Sequence, residues 1–253
     1  MTRIESENVP RESAVAPAKQ RVYFFDIVRG VAVISMVAFH ATYDVAYLYG
    51  IDVPWFTSGP LQELWRISIS WTFLAVAGWM TVHSRNNVRR ALVYGAAAVA
   101  IWIATSIAAV DQPISFGIIF CMAGCTAIWA ALERVMPHAL DRCPPLLIVL
   151  LLVLFLAAYQ VPRSIYAVQG FAWLGFPYAG FSSSDYYPLI PFSFLYLASA
   201  LAARRWRLRG GTYPTWMMKD RFKLLSLAGR ASLWIYLLHQ EVILIVLNVV
   251  LGR

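Results

Sequence analysis

The sequence predicts an all-α integral membrane protein, a single polytopic bundle of about seven transmembrane helices with its N-terminus in the cytoplasm. Three observations predict it. The 253 residues are 60% hydrophobic and only 13% charged, with a mean hydropathy of +0.62, whereas soluble domains run nearer half apolar and a quarter charged. Apolar stretches alternate with polar turns along nearly the whole chain. Lys and Arg gather in alternate turns, while the other turns carry Asp and only Arg163, as membrane orientation requires. The net charge of +8 is therefore assigned to the membrane surface and not to nucleic acid.

Residues 1–20 are polar, with Pro10 and Pro17, and lack an apolar core and a small-residue cleavage site. They read as a disordered cytoplasmic tail, not a signal peptide, and residues 21–253 as the membrane domain. The spacing predicts a first span over about 24–49 and a second over about 64–82, followed by a compact basic turn from His83 to Arg90. An Ala-rich third span, suited to close helix packing, covers about 91–110 and is broken at Asp111-Gln112-Pro113. The fourth span runs over about 114–132. The fifth, about 146–159, is purely aliphatic and is expected to face lipid. Residues 161–187 are too interrupted for a span, and their aromatic content argues against disorder, so they read as a functional outer loop. The sixth span covers about 189–203, a basic segment reaches to Lys223, and the seventh span covers about 231–251. There is no internal repeat of the kind an inverted-repeat transporter carries. The odd set of Cys121, Cys125 and Cys143 forms neither a disulfide framework nor a metal-ligand pattern, so no metal is expected.

The first span carries four ionisable residues, Asp26, Arg29, His40 and Asp44. In hydrocarbon such groups are costly and usually face a bundle interior or a wet cavity. At 100° per residue, Arg29 and His40 are separated by ~20° around the helix and Asp26 and Asp44 by ~0°. The four form one polar stripe, with Arg29 and His40 ~16 Å apart along the axis. His40 with Asp44 at i+4 fits a general base with an orienting carboxylate, and equally an interfacial pair that satisfies itself. Asp26 with Arg29 fits a helix-start pair, and the shared stripe adds a functional reading.

On the seventh span, Ser232, Tyr236 and His239 share a face. His239 is read either as a tunnel-lining group or as a buried histidine bonded to Tyr236. Glu241 is an acid for which Arg66 is one candidate partner. The arginines 85, 89, 90 and 204–209 fit phosphate contacts, with membrane orientation as the stronger reading. The outer-loop residues Trp173, Tyr178, Asp185, Tyr186 and Tyr187 suit either a stacked, hydrogen-bonded sugar or an aromatic interfacial belt. No phosphate-cradling glycine loop, serine nucleophile elbow or zinc spacing is present. These residues alone name no reaction.

The run Phe25-Asp26-Ile27-Val28-Arg29-Gly30-Val31 through Phe39-His40, with Tyr43-Asp44, resembles the start of bacterial members of the heparan-α-glucosaminide N-acetyltransferase catalytic-domain family. Three later pieces agree in order and spacing: Ile114-Ser115-Phe116-Gly117-Ile118-Ile119, Ser184-Asp185-Tyr186-Tyr187-Pro188-Leu189-Ile190-Pro191, and Ser232-Leu233-Trp234-Ile235-Tyr236-Leu237-Leu238-His239-Gln240. The Arg, ten residues, His arrangement also resembles the signature of the wider transmembrane acyltransferase superfamily, including acyltransferase-3 proteins. The resemblance implies an acyl-CoA-dependent acyltransferase of the cell (inner) membrane. It would move an acetyl or other acyl group from cytosolic acetyl-CoA or acyl-CoA to a saccharide or glycan acceptor at the outer face. His40 would be the base and Asp44 its orienting group. Arg29, Asp26 and Arg66 would serve the CoA end or the tunnel wall, and Asp185, Tyr186, Tyr187, Tyr236 and His239 the acceptor side. One departure is Phe120, where many relatives carry histidine. The lipid bilayer is the surrounding partner, a homodimer is left open, and a transporter or flippase and a non-catalytic scaffold are the competing classes.

Overall fold

The computed structural model describes residues 21–108 and 112–252. The expected tail over 1–20 and the break at Asp111 lie outside them. Among the described residues the regular elements are helices and none is a strand, apart from a lone bridge joining Tyr166 and Tyr178. In order they are α1 (Tyr23–Tyr43), α2 (Pro54–Thr57), α3 (Leu61–Trp79), α4 (Asn87–Ala108), α5 (Ile118–Val135), α6 (Pro137–Asp141), α7 (Pro145–Ala157), α8 (Leu189–Leu208), α9 (Lys223–Arg230) and α10 (Ser232–Leu251). Five segments are long and apolar enough to cross a membrane: Tyr23–Leu48, Asn87–Ala108, Ile118–Val135, Pro145–Arg163 and Ser232–Leu251. Helices α3 and α8 match them in length, at 19 and 20 residues, but carry Glu63 and Arg66, and Arg204, Arg205 and Arg207.

Proline and glycine punctuate these helices as their backbone chemistry dictates. Pro137 and Pro145 occupy the first positions of α6 and α7, where a missing N–H costs nothing. Gly252 closes α10 in the left-handed conformation at φ 65. Helix α1 does not end cleanly: from Asp44 to Leu48 it widens into a π-helix, a feature that period-3.6 arithmetic does not foresee. Its polar stripe is nonetheless turned inward, with Asp26 2% and Asp44 3% exposed.

Two apolar clusters hold the bundle. One, between α3, α5, α7 and α8, encloses Trp129, Tyr196, Phe192 and Phe155. The other joins α1 to α3 and the α2 turn through Val33, Met36, Phe39, Phe56 and Ile69. Helix α7 buries only Phe155 and exposes Leu146, Val149, Val153 and Leu156, as its uniform aliphatic composition predicts. The basic segment before the last span contains a helix of its own, α9, packed against the start of α1. The approach is close because position 30 is glycine: any side-chain carbon there would run into the Leu225 carbonyl oxygen.

At the end of the bundle that carries the basic turns, the arginines are engaged in structure. Arg204 pairs with Asp141 at 2.7 Å and Glu133 at 3.4 Å, Arg205 donates to the Cys143 carbonyl at 2.9 Å, and Arg207 donates to the Val82 carbonyl. These contacts carry α8 past the expected end at Ala203 to Leu208, with long side chains reaching across to neighbouring loops. A phosphate-holding role for this run is therefore not supported by its geometry.

Candidate active site

The polar stripe of α1 divides into two sites at opposite ends of the helix. Near its start, Asp26 accepts from Arg21 at 2.6 Å and from Arg29. Two guanidiniums on one carboxylate leave a net positive charge, and Arg29 Nε is buried without a hydrogen-bond partner among the described residues. An aromatic group packs beside this site, with Phe25 stacked on Trp79 at 6.2 Å and Tyr213 bonded to both Trp79 Nε1 and His83 Nε2.

At the other end, α10 brings His239 against His40, with ring centroids 4.8 Å apart. Among the described residues neither nitrogen of His40 is hydrogen-bonded. His239 Nδ1 meets the Tyr236 carbonyl oxygen at 2.7 Å, which directs its proton toward that oxygen and leaves Nε2 as the acceptor of a neutral ring. That Nε2 is buried and unpartnered. Asp44 accepts from Gln240 Nε2 at 2.8 Å. The carboxylate therefore engages the turn of α10 that bears His239, and the hydrogen bond expected between Asp44 and His40 is not formed among the described residues. His239 does bond to Tyr236, in line with one of its two sequence readings, but through the backbone.

Asp185 connects this pair to the loop over residues 161–187. Its Oδ2 accepts from the Tyr236 hydroxyl and from the Ile118 N–H, both at 3.0 Å. The second bond caps α5, where orphan N–H groups and the helix dipole favour a carboxylate. Gly117 makes this possible, because a Cβ there would stand 2.6 Å from Asp185 Oδ2. The two short motifs 114–119 and 184–191 are thus two halves of one junction. Further stitches are Ser115 N to Ser183 at 2.9 Å and Tyr187 N to the Phe116 carbonyl at 2.9 Å. Burial pushes the Asp185 carboxyl above the usual carboxylate range, against the opposing pull of Ile118 N–H, Tyr236 and Arg66. Burial likewise pushes the Tyr187 hydroxyl up to about 12, and Tyr186 donates to the Ala172 carbonyl at 2.6 Å.

Arg66 does not join Arg29. It sits at the His40 end of α3, bonded to Tyr187 Oη at 3.2 Å and to Glu63 at 2.7 Å. Glu63 also holds Arg163 at 2.9 Å, so Arg66 has Glu63, not Glu241, as its carboxylate. Beside the junction opens a cavity of about 510 Å³ lined by Ser115, Phe116, Gln169, Tyr178, Phe181 and Ser182 among others. Phe120 reaches it indirectly, with its ring edge-on to Phe116 at 4.9 Å. Sequence reasoning does not single out Gln240 or Gly117. Both stand inside the runs that carry the family resemblance, but neither residue type announces its contact in the sequence.

This pairing of a positive site and a two-histidine site sits on a chain whose residues 21–241 match the family described as heparan-alpha-glucosaminide N-acetyltransferase, catalytic. The chain belongs to that family. Family membership makes it a membrane transferase of the N-acetyltransferase kind, and acetyl-CoA is the donor that the family uses in general. No curated protein and no solved structure matches the chain. The family match spans α1 through the His239 turn of α10, so both ends of the stripe fall inside it. No group of three or more His, Cys, Asp or Glu among the described residues is placed to hold a metal ion.

Proposed function

We propose that the protein transfers an acyl group, acetyl first, from acyl-CoA on the cytoplasmic side to an amine or hydroxyl of a saccharide at the opposite face, across a bundle of seven membrane-crossing helices with a cytoplasmic N-terminus. The observation that carries this reading is the facing pair His40 and His239 at one end of α1, with Asp26 and Arg29 at the other. The two sites are ~16 Å apart along the helix, the separation a hydrophilic donor held on one side and a reacting thioester on the other require. Basic turns at the Arg29 end favour the cytoplasm for that end. Arg29, with Asp26 setting its direction, attracts the donor's phosphates, and its unpartnered Nε is a donor for such an anion.

In the reaction His40 takes the proton of the acceptor N–H or O–H as the nitrogen or oxygen attacks the thioester carbonyl carbon. The C–S bond breaks, the acyl group passes to the acceptor, and the proton leaves with the CoA sulfur as the thiol. His239, held by Tyr236, stands beside His40 as the second imidazole. Asp44 acts through Gln240, fixing the turn that presents His239. Arg66 and Tyr187 brace the wall of the site, and the cavity lined by Gln169, Tyr178 and Phe181 accommodates a sugar with an aromatic face and amide and hydroxyl partners.

The test is CoA release by the purified protein from a panel of acyl-CoAs with amino sugars as acceptors. Acceptor-dependent release that falls by about 10²–10⁴-fold in His40→Ala, the range for loss of a general base, supports the proposal, provided the variant still binds CoA. If the wild-type protein instead carries labelled saccharide unchanged across proteoliposomes and consumes no acyl-CoA, transport replaces transfer.

A further inference from the structure

A second cavity, of about 570 Å³, shares no lining residue with the histidine site and lies between the start of α4 and the last turns of α5. Val88 and Leu92 form one wall, and Ala123, Ala127 and Ala131 the other. These alanines recur at i+4, so they lie on one face of α5, and their small side chains leave a trough. From Ala123 to Val135 the trough is ~18 Å long, about the depth of one leaflet of a ~30 Å hydrocarbon core. Ala127, Ala131 and Leu92 are exposed, so in a bilayer the trough faces lipid.

Its far end is closed by a charge. Arg134 lines the cavity and is exposed. Among the described residues no ion pair or hydrogen bond engages it. The carboxylates of this region are already taken, since Glu133 binds Asn87 and Arg204, and Asp141 binds Arg204. Exposed Arg85 and Arg89 stand at the start of α4 and add to the positive field.

We propose that this trough holds one anionic phospholipid, with an acyl chain along the Ala123, Ala127 and Ala131 face and the phosphate on Arg134. Charge decides between this occupant and a second copy of the chain. Two copies in one membrane share their orientation, so a two-fold axis lies along the bilayer normal and brings equivalent residues together at equal depth. A symmetric contact through this trough would set Arg134 near Arg134, with Arg89 and Arg85 of both copies close by, a like-charge arrangement at the edge of a low-dielectric region. A phosphate reverses that sign, and Arg is well suited to hold it through paired N–H donors.

The experiment is native mass spectrometry of the full chain in neutral detergent, equilibrated with equal amounts of phosphatidylglycerol and phosphatidylcholine. The wild-type protein is expected to retain one phosphatidylglycerol, favoured about tenfold over phosphatidylcholine, whose choline cation offsets the phosphate charge and is repelled by the arginines around the trough. Arg134→Gln is expected to bring the two lipids to parity, and Ala127→Leu, which fills the trough, to remove the retained lipid while leaving the melting temperature unchanged. Arg209→Gln, an exposed arginine at the same end, is expected to change nothing. Equal retention of both lipids by the wild type, an equal loss in Arg209→Gln, or a dimer mass abolished by Ala127→Leu each overturns the proposal.

Discussion

The two histidines differ in how they are held, and the proposed roles rest on that difference. His239 is anchored through Nδ1 to its own helix, whereas neither nitrogen of His40 is committed among the described residues. The unanchored ring is the one free to meet an acceptor, and the anchored ring presents a fixed Nε2. His239→Gln is accordingly expected to lower kcat and displace the acidic limb of the pH–rate profile, while KM for acyl-CoA stays near the wild-type value. A parallel rise in KM would place His239 on the donor instead. Asp185 makes a second residue-scale prediction. Burial raises its folded pKa, so the folded state holds this proton more tightly than the unfolded chain, whose carboxyl titrates near ~3.9. Its contribution to stability is full below that value and is lost as pH rises through the raised folded pKa. Melting curves of wild type and Asp185→Asn from acidic to neutral pH should therefore diverge, with the wild type losing ground relative to the variant as pH rises. A constant difference across the range sinks the assignment.

Among the elements, the helices are legible in the sequence where one physical rule decides and obscure where two compete. Hydropathy alone locates α4, α7 and α10, whose apolar windows are almost wholly exposed on the bundle, even though α10 also carries Tyr236, His239 and Gln240. The 3.6-residue period also places Asp26, Arg29, His40 and Asp44 on one inward stripe, since it fixes a face. Periodicity names a face but not what packs against it, so the meeting of His40 with His239 and of Asp44 with Gln240 is not readable from it. The widening of α1 at Asp44 and the small helix α9 escape it for the same reason, since both answer to neighbours distant in sequence. The junction between motifs 114–119 and 184–191 supplies the element-scale test. Gly117→Ala drives a methyl into the Asp185 carboxylate and should cost about 1–3 kcal/mol, the penalty for a disrupted hydrogen bond to a charged or buried group. Gly95 lies in the middle of α4, and a methyl carbon there would meet nothing within 4 Å, so Gly95→Ala should stabilise by up to ~1 kcal/mol through helix propensity. Chemical denaturation in detergent reads both, and the same sign for the two variants would refute the account of Gly117.

For the whole molecule, the donor and acceptor ends of the stripe have meaning only relative to the membrane, so orientation is the property on which the proposed chemistry depends. The three cysteines offer a direct measurement. Cys121 and Cys125 are fully buried in the bundle, while Cys143 lies in the loop between α6 and α7, partly exposed, at the end that also carries Arg29. Partial burial pushes the Cys143 thiol up, with Arg205 opposing. Thiolate is the reactive form, so labelling should accelerate as pH rises above the ordinary value of ~8.5. A membrane-impermeant maleimide is expected to leave intact cells unlabelled and to modify Cys143 in inside-out vesicles, and Cys143→Ser should abolish the signal. That outcome would place Asp26 and Arg29 on the side where acyl-CoA is made and His40 with His239 on the other. Labelling of Cys143 from outside intact cells would invert the bundle. The positive site would then face away from any cytosolic donor, and transfer in the proposed direction would be excluded even if the two histidines proved essential.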